Sequence, residues 1–328
     1  MKLASLKEGG RDGTLVVVDR HLTRAVAVAH IASTMQAAIE RWEQLAPALD
    51  AVYQKLNAGQ QPGAFALQVD ALASPLPRSF QFLDGSVYLH HMEKARKARG
   101  AAMPANYKTE PLMYQGLSDA FIGPTEPMRF PSEAFDADYE AEVAIVVDDV
   151  PMGTTVAQAG AHIRLLMLLN DYTLRAITKT ELPKGFGFMQ AKPTSAFSPV
   201  AVTPDELGPH WDGARLSLPI VSKINGHLMG QPNAGVDMFF TYPQLIAHAA
   251  RTRKLGAGTI IGAGSVSNQD ESAGFGCIAE ARIHEEMSAG QASTPFLRSG
   301  DRVSIEMRNP AGESIFGAID QPIRIEAG

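Results

Sequence analysis

Between positions 136 and 149 the apolar and charged residues fall into the pattern of a strand that enters the interior. In Tyr139-Glu140-Ala141-Glu142-Val143-Ala144-Ile145-Val146-Val147, seven of nine residues are alanine, β-branched or aromatic, and Asp138 and Asp148-Asp149 bound the run. Side chains alternate across a strand, so Glu140 and Glu142 project from one face while Ala141, Val143 and Ile145 project from the other. Two carboxylates on an otherwise apolar strand leave two readings. Either the strand is a sheet edge and both face water, or both are buried. Unpaired buried charges cost on the order of several kcal/mol, so in the second case a cation must stand beside them.

Other segments show their own periods. Leu15-Val16-Val17-Val18 and Ala25-Val26-Ala27-Val28 flank a polar link and predict a hairpin. Ser33 with Gln36 reads as a capping box, and Met35, Ile39, Trp42, Leu45, Leu49, Val52 and Leu56 recur near helical spacing. Pro47 is expected to kink or divide that helix. The connector Leu72-Ala73-Ser74-Pro75-Leu76-Pro77 predicts a boundary between a β-rich N-terminal domain, residues 1–75, and a larger domain, residues 76–328. Residues 87–99 read as a helix with Asp84 as N-cap and His91 two turns on. Thr154 and Thr155 are expected to cap a helix reaching toward Leu169. Residues 180–187, with Pro183 and two glycines, suit a lid. Asn225-Gly226 is a strong hairpin signal. A helix near 243–253 and strands at 256–267, 277–284, 302–307 and 315–323 complete a mixed, β-rich α/β body.

Composition narrows the partners. The 328 residues carry 45% hydrophobic and 20% charged side chains with a net charge of -6, which gives no basic footprint for nucleic acid and argues against an anionic membrane. A small soluble ligand is the expectation, and the run Lys94, Arg96, Lys97, Arg99 reads as a solvated helix face. Cys277 is the single cysteine, so neither an intrachain disulfide nor a cysteine-rich metal cluster can form. The first ten residues hold no apolar signal core and no stretch approaches the roughly 18 apolar residues of a membrane span, so the expected location is the cytoplasm.

Three familiar motifs fail. Gly256-Ala257-Gly258-Thr259-Ile260-Ile261-Gly262 is one residue off a dinucleotide fingerprint but follows a predicted helix where the fingerprint follows a strand. Gly264-Ser265-Val266 lacks the second glycine of a nucleophile elbow. His90 and His91 are adjacent and cannot share a metal from a regular helix. The chemistry is left to carboxylates.

Asp84 with His91, Glu140-Ala141-Glu142, Asn170-Asp171-Tyr172-Thr173-Leu174-Arg175, Lys192 with Phe197-Ser198-Pro199, Asn225-Gly226 and Gly264-Ser265-Val266-Ser267 together resemble the fumarylacetoacetate hydrolase family. The likeness runs in unbroken order over roughly residues 78 to 328. It implies a fumarylacetoacetate-hydrolase-type β-roll catalytic domain behind a small SH3-like N-terminal domain, a homodimer, and metal-dependent chemistry on β-diketones or acylpyruvates of aromatic catabolism. Asp84, Glu140, Glu142 and Asp171 would be the metal ligands. An all-oxygen set suits Mg²⁺ foremost, or Ca²⁺ or Mn²⁺, and disfavours zinc. His91 would activate water with Glu280 orienting it, Lys192 and Arg175 would meet the developing oxyanion and enolate, and Tyr114, Thr178 and Ser265 would touch substrate.

The pocket departs from the animal pattern: Ser86 replaces a tyrosine, Thr178 a glutamine, Ser265 a usual threonine, Asn268 a common glycine, and Ser195-Ala196 a frequent Asp-Thr. None of these touches the implied ligands. Taken singly, Asp84 is an N-cap, His91 a surface residue, Asp171 a turn residue and Lys192 a solvated lysine; their order makes them a site. The expected activity is hydrolysis of a C–C bond in fumarylacetoacetate or a related acylpyruvate. The same scaffold hosts decarboxylases, isomerases and hydratases working through a metal-bound enolate, and a non-catalytic metal-binding interaction protein is the reading outside enzymes.

Overall fold

In the computed structural model, which describes residues 1–98, 100 and 102–326, the strand Ala141–Val147 forms and all seven of its residues are buried. It is no edge. Ile163–Asn170 and Thr259–Gly262 pair with it antiparallel on either side, and its two faces bury against different partners. Val143, Ile145 and Val147 join a core shared with Val303 and Ile305, while Ala144 and Val146 pack toward Leu49, Tyr53 and the N-terminal helices.

Among the described residues, eleven strands form one sheet. Its main path runs Phe65–Ala66, Arg24–Ala27, Thr14–Val18, Lys2–Leu6, Ala201–Val202, Ile163–Asn170, Ala141–Val147, Thr259–Gly262, Phe82–Gly85, Met113–Gly116, with Ala196–Phe197 attached to Ile163–Asn170. The N-terminal hairpin is therefore continuous with the sheet that carries the acidic strand. A five-stranded sheet, His227–Gly230, Ile220–Ile224, Arg302–Met307, Ile319–Ile325 and Met128–Phe130, covers the other face. Asn225 and Gly226 turn between the first two with φ of 52° and 81°, as a two-residue hairpin link with left-handed backbone requires. The mixed, β-rich α/β class expected from the sequence is the one the chain adopts.

Several local expectations are corrected. Residues 163–170 form a strand, where a helix from Thr154 was expected; the helix there is only Val156–Ala159. A continuous apolar run fits a strand buried on both faces as well as a buried helix, and periodicity does not separate the two. Residues 278–289 form a helix, where a strand was expected, in keeping with their Ala, Glu and Arg content. Asp84 lies in the strand Phe82–Gly85 and caps nothing; the helix beyond it is Leu89–Ala98, and Arg99 lies outside the described residues. Thr34, not Ser33, caps the first N-terminal helix, and Pro47 sits within Trp42–Asn57, the break falling earlier, at Glu40 and Arg41.

Candidate active site

The sheet gathers acidic side chains at one end of its strands. Asp84 stands opposite Gly262 in the parallel pairing, Glu142 opposite Leu169, and Asp171 directly follows the strand Ile163–Asn170. Carboxylate oxygens of Asp84, Glu142 and Asp171 all lie within 4.8 Å of one another. The close approach depends on Gly264, whose N–H donates to Asp84 Oδ1 at 3.1 Å and to Glu142 Oε2 at 3.0 Å. Its φ is +87°, and a Cβ there would meet the carbonyl oxygen of Gly85 at 2.5 Å, so only glycine fits.

Burial, and then the neighbouring carboxylates, push Asp84 and Glu142 well above the usual carboxylate range. Glu142 Oε1 is buried and has no hydrogen-bond partner among the described residues. An orphaned carboxylate oxygen facing two further carboxylates, with Lys192 as the neighbouring positive charge, leaves three acids to one cation, and the all-oxygen donor set fits a hard divalent ion. The residues present therefore suit the metal that the sequence pattern implied.

Glu140 has a different environment from Glu142, two residues away on the same face. Its Oε1 accepts from Arg175 at 2.7 Å and its Oε2 from Lys192 at 2.7 Å. Burial would raise its pKa, but Lys192 and Arg175 outweigh burial and hold it at about 2. Lys192 also reaches Asp171 Oδ2 at 2.6 Å. Burial opposes its charge, yet Asp171 and Glu140 more than compensate and its pKa is raised. Tyr114 donates to the same Asp171 oxygen, and Ser195 donates to Asp171 Oδ1 at 2.8 Å. The three-carboxylate cluster thus closes without Glu140, which is joined to it through Lys192.

Two helices make the opposite wall. His91, on Leu89–Ala98, places Nδ1 3.0 Å from Glu280 Oε2, and Ser267 donates to Glu280 Oε1 at 2.6 Å. Burial raises the pKa of Glu280, but His91 and the hydroxyl of Ser267 bring it below its ordinary value, so it is an ionised acceptor. A neutral ring that donates from Nδ1 to this acceptor leaves the lone pair of Nε2 free. Floor and wall flank a half-open cavity of about 850 Å³.

Asp84, His91, Tyr114, Glu140, Arg175, Thr178, Lys192 and Ser265 all line this cavity. Glu142, Asp171 and Glu280 lie behind that lining. Thr178 uses its hydroxyl on the carbonyl of Arg175 at 2.7 Å, within its own helix, whereas Ser265 Oγ is buried without a partner among the described residues. The segment expected to be a lid forms the end of helix Arg175–Glu181 and a 3₁₀ turn, Leu182–Lys184, and then reaches Phe188. Phe188 packs edge-on against Tyr114 at 4.9 Å, while Phe186 is 99% exposed.

Sequence reasoning missed three supports: Asp138, seen only as a strand boundary, Ser195, seen only as a departure, and Ser267, seen only within a motif. An acidic residue abutting an apolar strand was the signal available for Asp138.

Comparison with known proteins adds the family. A profile for the fumarylacetoacetate (FAA) hydrolase C-terminal region matches residues 81–324, and one for fumarylacetoacetase N-terminal domain 2 matches residues 1–78. The chain is 25% identical over 218 residues to a mitochondrial oxaloacetate tautomerase of Xenopus laevis, covering 65% of this chain and 58% of that protein. It is 25% identical over 297 residues to the fumarylacetoacetase of Caenorhabditis elegans, covering 76% of this chain and 70% of that protein. The structure of maleylpyruvate hydrolase from Sphingobium sp. SYK-6 in complex with manganese(II) and pyruvate superposes with a TM-score of 0.66 at 18% identity, over 99% of this chain and 100% of that one. At that identity the likeness shows the fold.

Proposed function

The chain belongs to the fumarylacetoacetate hydrolase family, and on that premise we propose that it is a metal-dependent hydrolase cleaving a carbon–carbon bond in fumarylacetoacetate or a related acylpyruvate. The observation that carries the reading is the pair His91–Glu280, set across the cavity from the acidic floor. Asp84, Glu142 and Asp171 would hold the cation, with Glu140 as the fourth carboxylate of the set; Mg²⁺ is the first choice, Ca²⁺ or Mn²⁺ the others. A divalent cation there would act as a Lewis acid toward the two carbonyl oxygens of a 1,3-dicarbonyl.

The chain's own groups supply the rest. His91 Nε2 takes a proton from water as the water oxygen adds to the acyl carbonyl, and Glu280 stabilises the imidazolium that results. Lys192 and Arg175 are fixed cationic donors for the charge that develops on oxygen. Collapse of the adduct breaks the C–C bond, the electron pair leaves with the 2-oxo fragment as its enolate, and the proton on His91 is available to the departing carbon. Tyr114, Thr178 and Ser265 contact the substrate, and the segment to Phe188 closes over it and limits water entry. A homodimer and a cytoplasmic location belong to the same proposal; no helix among the described residues is long and apolar enough to cross a membrane.

A second reading, keto–enol tautomerisation, is supported by the similarity to the Xenopus laevis tautomerase. It would use the same base on a C–H proton and need no water. Turnover in ¹⁸O-labelled water separates the two. Label in a released carboxylic acid supports hydrolysis; an unlabelled isomer or released carbon dioxide overturns it, and no product from any acylpyruvate points to a binding protein.

A further inference from the structure

We infer that Asp138 is a positioning residue that locks the wall carrying Glu280 to the floor carrying Arg175, an inference that rests on the reading of His91–Glu280 as the base. Asp138 is 0% exposed and lies in the short strand Ala137–Asp138, paired with Thr173–Leu174 immediately before Arg175. Its carboxylate is fully engaged. Oδ1 accepts from the backbone N–H of Ile278 at 2.8 Å, and Oδ2 accepts from Ala279 N–H at 2.9 Å and from Arg175 Nε at 2.8 Å.

Ile278 and Ala279 open the helix Ile278–Ala289, whose own N-cap, Cys277, supplies no side-chain hydrogen bond. The first N–H groups of a helix have no partner within it, so a distant carboxylate does the capping and also meets the positive end of the helix dipole. The next residue is Glu280. Arg175, on the other side of Asp138, passes a second N–H to Glu140. One buried carboxylate therefore fixes where the first turn bearing Glu280 stands relative to the guanidinium that faces the substrate. Backbone pairing of Ala141 N–H with the carbonyl of Gly276 anchors the same junction independently.

Asp138→Asn keeps the shape but gives one face of the side chain donors where it must accept. The first turn then shifts relative to His91, and displacements of about 1 Å in such constellations cost on the order of 10²-fold in rate. With acetylpyruvate and Mn²⁺ as probes, kcat should fall about 10- to 100-fold with Mn²⁺ affinity unchanged. In a His91→Ala background the same change should cost less than about threefold, because residues that act as a unit are not additive. Ala279→Pro removes one helix donor, leaves the carboxylate and Arg175 in place, and is tolerated in a first turn; it should lower kcat in the same direction by less, and stands in if Asp138→Asn does not fold. Normal kcat in Asp138→Asn beside a crippled His91→Ala overturns the inference alone, as does an equal loss in both backgrounds. Full turnover by His91→Ala removes the base and the inference together.

Discussion

Floor and wall of the pocket differ in what holds them. The floor sits at the ends of strands buried on both faces, so Glu142 and Asp171 are 0% and 1% exposed and cannot relax away from one another. The wall is a pair of helices with solvent on their outer faces, tied in by Asp138, by His91–Glu280 and, at its far end, by Glu285. A rigid floor stores repulsion that a cation relieves, whereas a wall positioned by hydrogen bonds sets geometry. Damage to the floor should therefore appear in metal binding, and damage to the wall in turnover with metal binding kept.

The largest effect tests the floor. Glu142→Gln should abolish detectable Mn²⁺ binding in calorimetry and lower turnover by about 10³-fold or more, the upper end for one preorganised electrostatic group. Melting in chelator should rise, since the cost of burying this carboxyl beside Asp84 and Asp171 is gone. Glu140→Gln should also abolish turnover but shift melting the other way, destabilising the chelated protein by about 1.5–3 kcal/mol, because Arg175 and Lys192 each lose one of their two buried carboxylate partners. Equal melting shifts in the two variants would break the division between an acid cluster and a cation-paired carboxylate.

The wall comes next. His91→Ala should leave Mn²⁺ affinity unchanged while turnover falls by about 10²- to 10⁴-fold, the contribution of a positioned general base. Glu280→Gln should act in the same direction and less. Loss of Mn²⁺ affinity in His91→Ala would place the histidine among the ligands. The covering segment is weaker still: deleting residues 184–187 should raise KM and lower kcat together by several-fold, and unchanged kinetics would remove its closing role.

The floor was also the more legible region. Glu140 and Glu142 announce themselves because a strand repeats every two residues and charge on an apolar strand is conspicuous. The wall was half hidden. Ile278, Ala281, Ile283 and Met287 do not trace one clean helical stripe, and the feature that starts this helix, the carboxylate of Asp138, lies 140 positions away in the chain. Helix and strand are equally served by a short apolar run, which is why a helix was expected over residues 163–169 where a buried strand forms. Ser195 and Ser267 carry no signal of their own; a serine becomes a support only when folding sets it against Asp171 or Glu280.

The smallest effect probes the outer end of the wall, where hydrogen bonds to an exposed-side carboxylate replace burial. Glu285, near the end of helix Ile278–Ala289, accepts from the backbone N–H groups of Ser293 and Thr294 and from the hydroxyl of Thr294, and so holds the segment leading to Phe296 and Leu297 on the cavity rim. Burial alone would raise its pKa, but the bonds from Thr294 and Ser293 together outweigh it and lower the value from 4.5 to about 2. A carboxylate with a depressed folded-state pKa contributes stability that is complete above its unfolded value and is lost as pH falls through the folded one. Here the window runs from 4.5 down to about 2. After screening by solvent the contribution is about 1 kcal/mol. Glu285→Gln should therefore lower the urea midpoint at pH 7, and the gap to the unsubstituted protein should narrow as pH falls through that window. Metal binding should not move, because the floor takes no support from this residue. A gap that stays constant with pH would mean that the lost contact is steric, and that the far end of the wall is held by packing as the floor is.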